Sequence, residues 1–189
     1  MKTENRKTEI VRVAAHLFKE KGYSAVTMRD LAKTMGIKAA SLYNHIESKQ
    51  SILQDIIVSI AEEFTQGMSS ILAESSNSID KLNKIISLHV TIASKNADGM
   101  AALNTDWMHL EDKLNYYLDL RNSYEENFRK IIQAGIDNNE IKNENVEVIL
   151  FSLLSTLRSL YLWIPKKENL NEAQLASSLS HILIKGINT

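Results

Sequence analysis

The sequence of 189 residues contains no cysteine, one proline and six glycines. Without cysteine the chain can form neither disulfides nor thiolate metal sites, which fits a reducing compartment, and we expect a cytoplasmic protein. Since helix breakers are few and no segment alternates like a strand, the sequence predicts an all-α protein. The polar N-terminus lacks the apolar core of a signal peptide. The sequence has no run of 18 uninterrupted apolar residues, so it predicts no membrane-spanning helix.

The signatures of common catalytic sites are missing as well. The sequence has no GxSxG motif, no Gly-rich phosphate loop, no HExxH motif and no cysteine nucleophile. A metal site formed by His89, His109 and Asp106 is not expected, because their spacing gives no i,i+4 ligand pair on one helix. We therefore expect no enzyme, no cofactor and no metal.

Charge is distributed unevenly along a chain whose net charge is only −1. Residues 1–50 hold ten Lys or Arg against five Asp or Glu, whereas residues 51–189 hold twelve against eighteen. A basic N-terminal part attracts phosphates and releases their counterions, which favours nucleic acid as a partner. The alternative is a solvated basic face that has no function.

The stretch Thr27–His45 predicts two short helices joined by a tight turn. Thr27 can cap the first helix, with Asp30 at the third helical position completing a capping box. Gly36 supplies the backbone freedom for the turn, and the second helix is expected over residues 39–45. Such a hairpin occurs in DNA-reading helix-turn-helix units, although it also occurs as a plain packing unit in all-α proteins.

The outward-facing positions of this hairpin carry small and hydrogen-bonding residues that can approach bases or phosphates. Tyr43 and Lys49 are expected mainly to hold phosphates. Lys38, Ala40, Ser41 and Asn44 are expected to face bases. The full set of predicted DNA-binding residues is Thr27, Arg29, Lys38, Ala39, Ala40, Ser41, Tyr43, Asn44, His45 and Lys49.

Residues 6–53 resemble the N-terminal domain of TetR/AcrR transcriptional regulators. The residues that carry the resemblance are Ala14, Leu17–Tyr23, Thr27–Ala32, Gly36, Ile37, Ser41–Ile46, Lys49 and Leu53. The sequence departs from the family pattern at Ala39-Ala40, where members often carry Ser or Thr followed by Gly, and at Ile46, where Phe is usual. The resemblance implies a DNA-binding domain over residues 1–48 and a ligand-binding and dimerisation domain over residues 49–189.

The second part of the chain predicts a helical bundle. The expected helices cover residues 49–73, 79–96, 98–110, 111–138, 145–164 and 171–187. The fifth of these is stopped by Pro165, and Ser48 is placed to cap the first. Because the first of these helices begins at the hairpin and ends in the bundle, we expect it to link the two parts mechanically.

The last two predicted helices carry more apolar surface than a small bundle buries. The stretch 146–164 is apolar nearly all round, so it must be covered on all sides. A two-fold dimer through both helices is the simplest closure, and the family resemblance implies the same pair, although burial within one chain is the alternative. The predicted dimerisation residues are Leu153, Leu157, Tyr161, Leu175, Leu179, Ile182 and Leu183.

A small-molecule effector is expected among the middle helices. Arg121 falls inside an apolar stripe and needs an anion, which is either Asp106 or Glu111 in an ion pair or an acidic group of a ligand. His89 lies on another apolar stripe, as a hydrogen-bonded core histidine or as a polar contact to the ligand. The predicted ligand-binding residues are His89, Met100, Leu103, Trp107, Tyr117, Arg121 and Tyr124.

The second part of the chain is also loosely similar to one branch of the family. The positions concerned are Trp107–His109, Arg121–Glu125, Phe128, Arg129, Gly135, Trp163–Pro165 and Leu170. That branch contains repressors of fatty-acid, aromatic and sterol breakdown genes, several of them responsive to acyl-CoA. The resemblance implies a homodimeric, ligand-responsive repressor of operator DNA, with acyl-CoA or an amphipathic carboxylate as effector. The alternative is a helical adaptor that binds another protein and no DNA.

Overall fold

A computed structural model of the chain describes residues 5–187, and its regular structure in this range is helical, which confirms the all-α prediction. The helices are α1 (Arg6–Lys21), α2 (Met28–Thr34), α3 (Ala39–Leu42), α4 (Lys49–Leu72), α5 (Ser78–Lys95), α6 (Ala97–Thr105), α7 (Leu114–Asp137), α8 (Val146–Arg158), α9 (Leu160–Trp163) and α10 (Glu172–Lys185). Single 3-10 turns cover Trp107–His109, Glu111–Lys113 and Ile164–Lys166.

Packing divides the chain into two units. The first joins the N-terminal part up to Ala61 with the segment Asp98–Tyr117, and the second joins Glu62–Ala97 with the chain from Leu118 onward. The first unit therefore holds α1, α2, α3, the first half of α4 and nearly all of α6. The boundary predicted after residue 48 separates a DNA-binding part from a ligand-binding part, which is a division by function. The division by packing does not test it, so it stays a prediction.

The core of the first unit begins with the apolar face of α1. Asn5 caps this helix by accepting a hydrogen bond from the Lys7 backbone N–H at 3.2 Å. The predicted stripe of Ile10, Ala14, Leu17 and Phe18 is buried. Gly22 then ends the helix with a φ of 81°, which side chains rarely adopt, and its N–H reaches the Phe18 carbonyl at 2.8 Å.

Two predicted helix boundaries differ in the segment after α5. The helix expected over 98–110 ends at Thr105, where Asn104 and Thr105 donate their side chains to the carbonyls of Met100 (2.7 Å) and Ala101 (2.9 Å). The helix expected from residue 111 begins at Leu114, since Glu111 has a φ of 49° and cannot continue a helix.

The helix expected over 145–164 is broken at Ser159 into α8 and α9. At the break the backbone bonds span three positions instead of four, with the Ser159 N–H donating to the Thr156 carbonyl at 3.3 Å and the Leu162 N–H to the Ser159 carbonyl at 3.0 Å. By length and mean hydropathy (1.5) the stretch Val146–Lys166 could cross a membrane. However, the thirteen residues of α8 extend about 20 Å, less than the roughly 30 Å of a hydrocarbon core. Buried leucines and isoleucines on α8 indicate a core helix of the second unit.

In the second unit, α7 packs closely against its neighbours at Gly135. A Cβ added at Gly135 would lie 2.5 Å from the Ile141 Cδ1 and 2.9 Å from the Ser78 Cβ. Only glycine therefore lets α7 come this near to the start of α5. Alongside, α10 lies against α5, with Ile184 buried. Helices α5 and α7 also carry His89 and Tyr124, which form the polar pair described below.

Candidate functional site

The hairpin of the first unit is fixed by a complete capping box. The Thr27 Oγ1 accepts from the Asp30 backbone N–H at 3.2 Å, and the Asp30 Oδ2 accepts from the Thr27 backbone N–H at 2.9 Å and from its hydroxyl at 2.5 Å. Hydrogen bonds from the Thr27 side chain and backbone lower the pKa of Asp30. This confirms the predicted cap, and it shows that the Thr27 hydroxyl, a predicted DNA contact, is already bound within the hairpin.

The turn that follows α2 relies on glycine, as predicted. Gly36 has a φ of 65°, in the left-handed region that a side chain would strain. The Ile37 N–H returns to the Ala32 carbonyl at 3.0 Å, which closes the turn. Leu31 of α2 and Leu42 of α3 are buried, so apolar packing holds the two helices together.

The recognition segment is shorter as a helix than expected. The α-helix α3 covers only Ala39–Leu42 rather than 39–45, and the next three residues form a turn in which the His45 N–H donates to the Leu42 carbonyl at 2.9 Å. Tyr43 at the C-cap keeps helical backbone angles, with a φ of −66°. The Tyr43 side chain is therefore still presented as it would be on the helix.

Most of the predicted DNA-binding side chains are accessible together. Tyr43 is 56 % exposed although it is large and partly apolar, which is typical of a residue kept for a partner. Half-buried positions in the set are Ala39, Ser41 and Lys49, and the exposed positions are Thr27, Arg29, Lys38, Ala40, Tyr43, Asn44 and His45. Arg29 and Lys38 are exposed and add positive charge to this set, which suits contact with a phosphate backbone.

Lys49 has a different environment from the one expected of a phosphate contact. Its ammonium donates to the carbonyls of Tyr23 (2.9 Å) and Val26 (2.8 Å) and lies 4.3 Å from the centre of the Tyr23 ring. These bonds hold the start of α4 to the connection between α1 and α2. The predicted helix cap beside it is confirmed, because the Ser48 hydroxyl accepts from the Ser51 N–H at 3.0 Å.

The segment 98–117 is tied to the rest of the first unit at both of its ends. Asp98, in the first turn of α6, accepts from the Lys19 Nζ at 2.7 Å and lies 3.1 Å from the His16 Nδ1. Burial alone would raise the pKa of Asp98, but hydrogen bonds from these two residues outweigh burial and lower it. At the other end, the Gln54 Nε2 donates to the Leu110 carbonyl at 3.2 Å.

The predicted ligand-binding residues separate between the two units. Four of them belong to the first unit, where Met100 and Tyr117 are buried, Leu103 and Trp107 are half-buried, and the rings of Trp107 and Tyr117 lie 6.1 Å apart. His89, Arg121 and Tyr124 belong to the second unit.

His89 and Tyr124 form a buried hydrogen-bonded pair in the second unit. The His89 Nε2 lies 2.9 Å from the Tyr124 hydroxyl, and the Phe64 ring centre lies 4.6 Å from that of His89. Burial, together with a smaller contribution from the nearby positive charge of Arg158, lowers the pKa of His89 to about 3. Burial also raises the pKa of Tyr124. Both side chains are therefore neutral at pH 7, and the pair itself was not anticipated in the sequence.

Arg121 pairs with an acid on its own helix. Its Nε donates to the Glu125 Oε1 at 3.2 Å, and Arg158 of α8 also donates to that oxygen. Burial alone would raise the pKa of Glu125, but hydrogen bonds from Arg158 and Arg121 outweigh it and lower the pKa. The sequence suggested Asp106 or Glu111 for this role, because Glu125 four residues along the same helix was not considered.

The predicted dimerisation residues fall into two groups. Leu153, Leu157, Tyr161 and Leu175 are already buried within one chain, so little of their surface remains for a partner. Leu179 and Leu183 are half-buried, and Ile182 is 68 % exposed. The sequence interpretation missed four further exposed apolar residues, because a helix apolar on all sides does not reveal which side its own chain covers. They are Val148 (60 %), Phe151 (72 %), Leu162 (52 %) and Trp163 (44 %).

Within residues 5–187, no group of three or more His, Asp or Glu side chains is arranged to hold a metal ion. His89 belongs to the second unit, whereas Asp106 and His109 belong to the first.

Two family models match most of this chain. The model described as bacterial regulatory proteins, tetR family, matches residues 10–56, which contain the hairpin. The model described as tetracyclin repressor-like, C-terminal domain, matches residues 75–187.

Among known relatives, the HTH-type transcriptional repressor KstR2 of Rhodococcus jostii is 24 % identical over 185 residues, which cover 96 % of this chain and 91 % of that protein. The structure of the ketosteroid transcriptional regulator KstR2 of Mycobacterium tuberculosis is similar with a TM-score of 0.91, at 19 % identity, over 100 % of this chain and 97 % of that one. The structure of AibR in complex with isovaleryl coenzyme A and operator DNA is similar with a TM-score of 0.76, at 18 % identity, over 95 % and 98 %. At these identities the two solved structures establish a shared fold.

Proposed function

Because the chain belongs to the TetR family of bacterial transcriptional regulators, a family of regulators rather than enzymes, we propose that it is a ligand-responsive repressor. In this proposal a cytoplasmic homodimer binds a pseudo-palindromic operator and releases it when a small effector binds. The observation that carries the proposal is the accessible recognition segment Ala39–His45 on a hairpin fixed by the Thr27 cap and the Gly36 turn.

Roles within the DNA-binding surface follow from exposure. Lys38, Ala40 and Asn44 are exposed and face bases in this proposal, with half-buried Ser41 beside them, while the Tyr43 hydroxyl holds a phosphate. We assign Lys49 to the support of this surface instead, because its ammonium already donates to two backbone carbonyls.

The proposed dimer is formed by α8 and α10 of each subunit. Phe151 and Val148 on α8 and Ile182 on α10 leave large apolar side chains in solvent, which a soluble chain rarely keeps without a partner. A two-fold axis brings each surface onto its own copy. Leu179 and Leu183, half-buried, would complete the contact, whereas the buried Leu153 and Leu157 support it from behind.

For the effector we propose an acyl-CoA or an amphipathic carboxylate. The proposal rests on the neutral polar pair inside an aromatic cluster of the second unit, and on AibR, which has been solved with isovaleryl coenzyme A and operator DNA. Helix α4 is continuous from Lys49, beside the recognition segment, to Leu72, so a shift of its far end would be felt at its start. Such coupling is typically about 1–3 kcal/mol, or roughly 5- to 150-fold in operator affinity.

Selection of DNA from a random library with the full-length chain tests the proposal. We expect an enriched inverted repeat whose half-sites lie about 34–36 Å apart or a small multiple of that distance, since both recognition segments must enter successive major grooves. Tyr43→Ala is the matched variant and should enrich the same repeat, but only at about 10-fold higher protein concentration, because it loses a phosphate contact and no base contact. Recovery of an unpaired half-site would contradict the dimer, and absence of any enriched sequence would favour the protein-binding adaptor instead.

A further inference from the structure

The buried pair His89–Tyr124 leaves one polar atom without a protein partner. The His89 Nε2 is bound by the Tyr124 hydroxyl at 2.9 Å, whereas the Nδ1 is buried and has no hydrogen bond to the described residues. His89 is 3 % exposed, and Phe64 and Tyr124 close over it with their rings. A buried nitrogen that makes no hydrogen bond is unfavourable, so native structures rarely keep one without a use.

The Tyr124 bond fixes which proton His89 carries. Because burial keeps Tyr124 protonated, its hydroxyl hydrogen has to find an acceptor, and the His89 Nε2 is the nitrogen within reach. The neutral imidazole then carries its own hydrogen on Nδ1. The unpartnered atom is therefore a hydrogen-bond donor, and the group it lacks is an acceptor.

Electrostatics in the second unit favour an acceptor oxygen at this point. The positive charge of Arg158, which also pairs with the Glu125 carboxylate, acts on both His89 and Tyr124. A positive potential attracts a carbonyl or carboxylate oxygen and repels an ammonium group. The aromatic rings of Phe64, Tyr124 and Phe128 surround the pair with apolar surface that suits an aliphatic or alicyclic chain.

We propose that the His89 Nδ1–H donates a hydrogen bond to an acyl oxygen of the effector, either the carbonyl of a thioester or the carboxylate of a free acid. This inference rests on the proposed effector-binding function and adds the atom that recognises the effector. Because His89 is buried, the oxygen reaches it only when the helices around it open, and binding would stabilise that open form.

The first test concerns the proton itself and needs no ligand. Nitrogen-15 NMR of the imidazole in the full-length chain should show His89 with its hydrogen on Nδ1 at neutral pH. Tyr124→Phe removes the hydroxyl that fixes this tautomer, and the His89 signals should then move toward a mixture. A hydrogen on Nε2 in the unaltered chain would overturn the inference, because Nδ1 would then be an acceptor.

The second test compares two probes that differ in one oxygen. Octanoyl-CoA is a thioester, and S-octyl-CoA is the matching thioether, which lacks the acyl carbonyl but keeps the chain and the nucleotide. Titration calorimetry should show the thioester binding about 10-fold more tightly, the size expected of one buried hydrogen bond. Octanoate separates the free acid from the thioester as the natural source of the oxygen. Equal affinity of the two CoA probes, or no binding of any probe at millimolar concentration, would overturn the inference.

Two substitutions of His89 separate its two nitrogens. In His89→Gln the amide reaches the position of Nε2 and can keep the Tyr124 contact, but it loses the Nδ1 donor. In His89→Asn the amide lies near the position of Nδ1 and can still donate to the probe. We expect the preference for the thioester to disappear in His89→Gln and to persist in His89→Asn, and the reverse result would overturn the inference.

Operator binding, measured in the same preparations, distinguishes this inference from the proposed function. His89→Gln and His89→Asn should both bind DNA without effector, which also shows that they fold. Loss of the probe preference with intact operator binding concerns His89 alone. If the unaltered chain binds no operator, the proposed regulator fails independently of the probe result.

Discussion

Polar side chains are held in opposite ways in the two units. The recognition segment of the first unit presents Tyr43, Asn44 and His45 to solvent, where none of them is needed by the core. In the second unit His89 and Tyr124 are enclosed by rings and bind each other. Substitutions in the first set should therefore change function and leave stability intact, whereas substitutions in the second should change both.

We expect the largest effect at the exposed apolar residues of the second unit. A substitution there should also change function while leaving the stability of one chain nearly unchanged. Phe151→Glu should cost one chain little, since Phe151 is 72 % exposed, but it would place an unpaired carboxylate at the proposed interface. Sedimentation should then show a folded monomer, and operator affinity should fall more than about 100-fold. Ser69→Glu, on exposed α4 surface, is the control. A persistent dimer of Phe151→Glu would place the interface elsewhere.

The buried pair should make the stability of the second unit depend on pH. Because the pKa of His89 falls from its ordinary 6.5 to about 3 on folding, the unfolded chain binds a proton below pH 6.5 that the folded chain does not. The contribution of neutral His89 to the free energy of unfolding is therefore fully present above pH 6.5. It declines by about 1.4 kcal/mol per pH unit as the pH falls from 6.5 toward 3.

At pH 5 the expected loss from His89 is about 2 kcal/mol. Urea unfolding of the unaltered chain and of His89→Gln, each at pH 7 and pH 5, isolates the contribution, because other groups titrate equally in both. A pH dependence unchanged by the substitution would show that the pKa of His89 is the same in the folded and the unfolded chain.

A smaller effect is expected in the recognition segment. Tyr43→Ala removes one hydrogen bond to a phosphate, so the affinity for all DNA sequences should fall about 10-fold alike while the melting temperature stays constant. Fluorescence anisotropy on an operator and on an unrelated duplex measures both affinities. A changed sequence preference at equal affinity would assign Tyr43 to the bases.

The smallest effect is expected at Arg121. Its pairing with Glu125 is partly exposed, at 35 % and 19 % of the two side chains, and such a pair contributes about 0–1 kcal/mol. If Arg121 is structural, Arg121→Ala should bind operator and respond to octanoyl-CoA like the unaltered chain. A response that needs much more octanoyl-CoA would make the guanidinium a ligand contact.

Local rules made the hairpin predictable. The Thr27–Asp30 cap and the left-handed turn at Gly36 each depend on residues within a few positions, and both were predicted from the sequence. Lys49 was assigned to phosphates because its partners, the carbonyls of Tyr23 and Val26, lie more than twenty positions away. Every residue has a backbone carbonyl, so a sequence pattern does not show which carbonyls will accept a hydrogen bond from Lys49.

The second unit was predictable in outline only. Helix periodicity placed His89 and Tyr124 on apolar stripes, but it could not show that the two side chains meet across 35 positions. The break at Ser159 also escaped prediction, since Ser152 makes the same type of bond to a carbonyl four positions back and lies within unbroken helix, so the residue type alone does not mark a break. Side-chain pairing over long sequence distances decides these features, and one sequence does not reveal it.

The first unit is formed by two stretches of chain that are separated by residues 62–97, so the ribosome cannot complete it in one continuous stretch. Asp98 and Leu110, which bind α1 and α4, are synthesised well after the hairpin, so the ribosome must add residues 62–97 before they appear. The nascent hairpin thus exists for a time without these partners, and closing the intervening loop costs entropy. Chain termination between residues 62 and 97 would therefore release a fragment that has the recognition segment, Lys19 and Gln54 but lacks their partners Asp98 and Leu110.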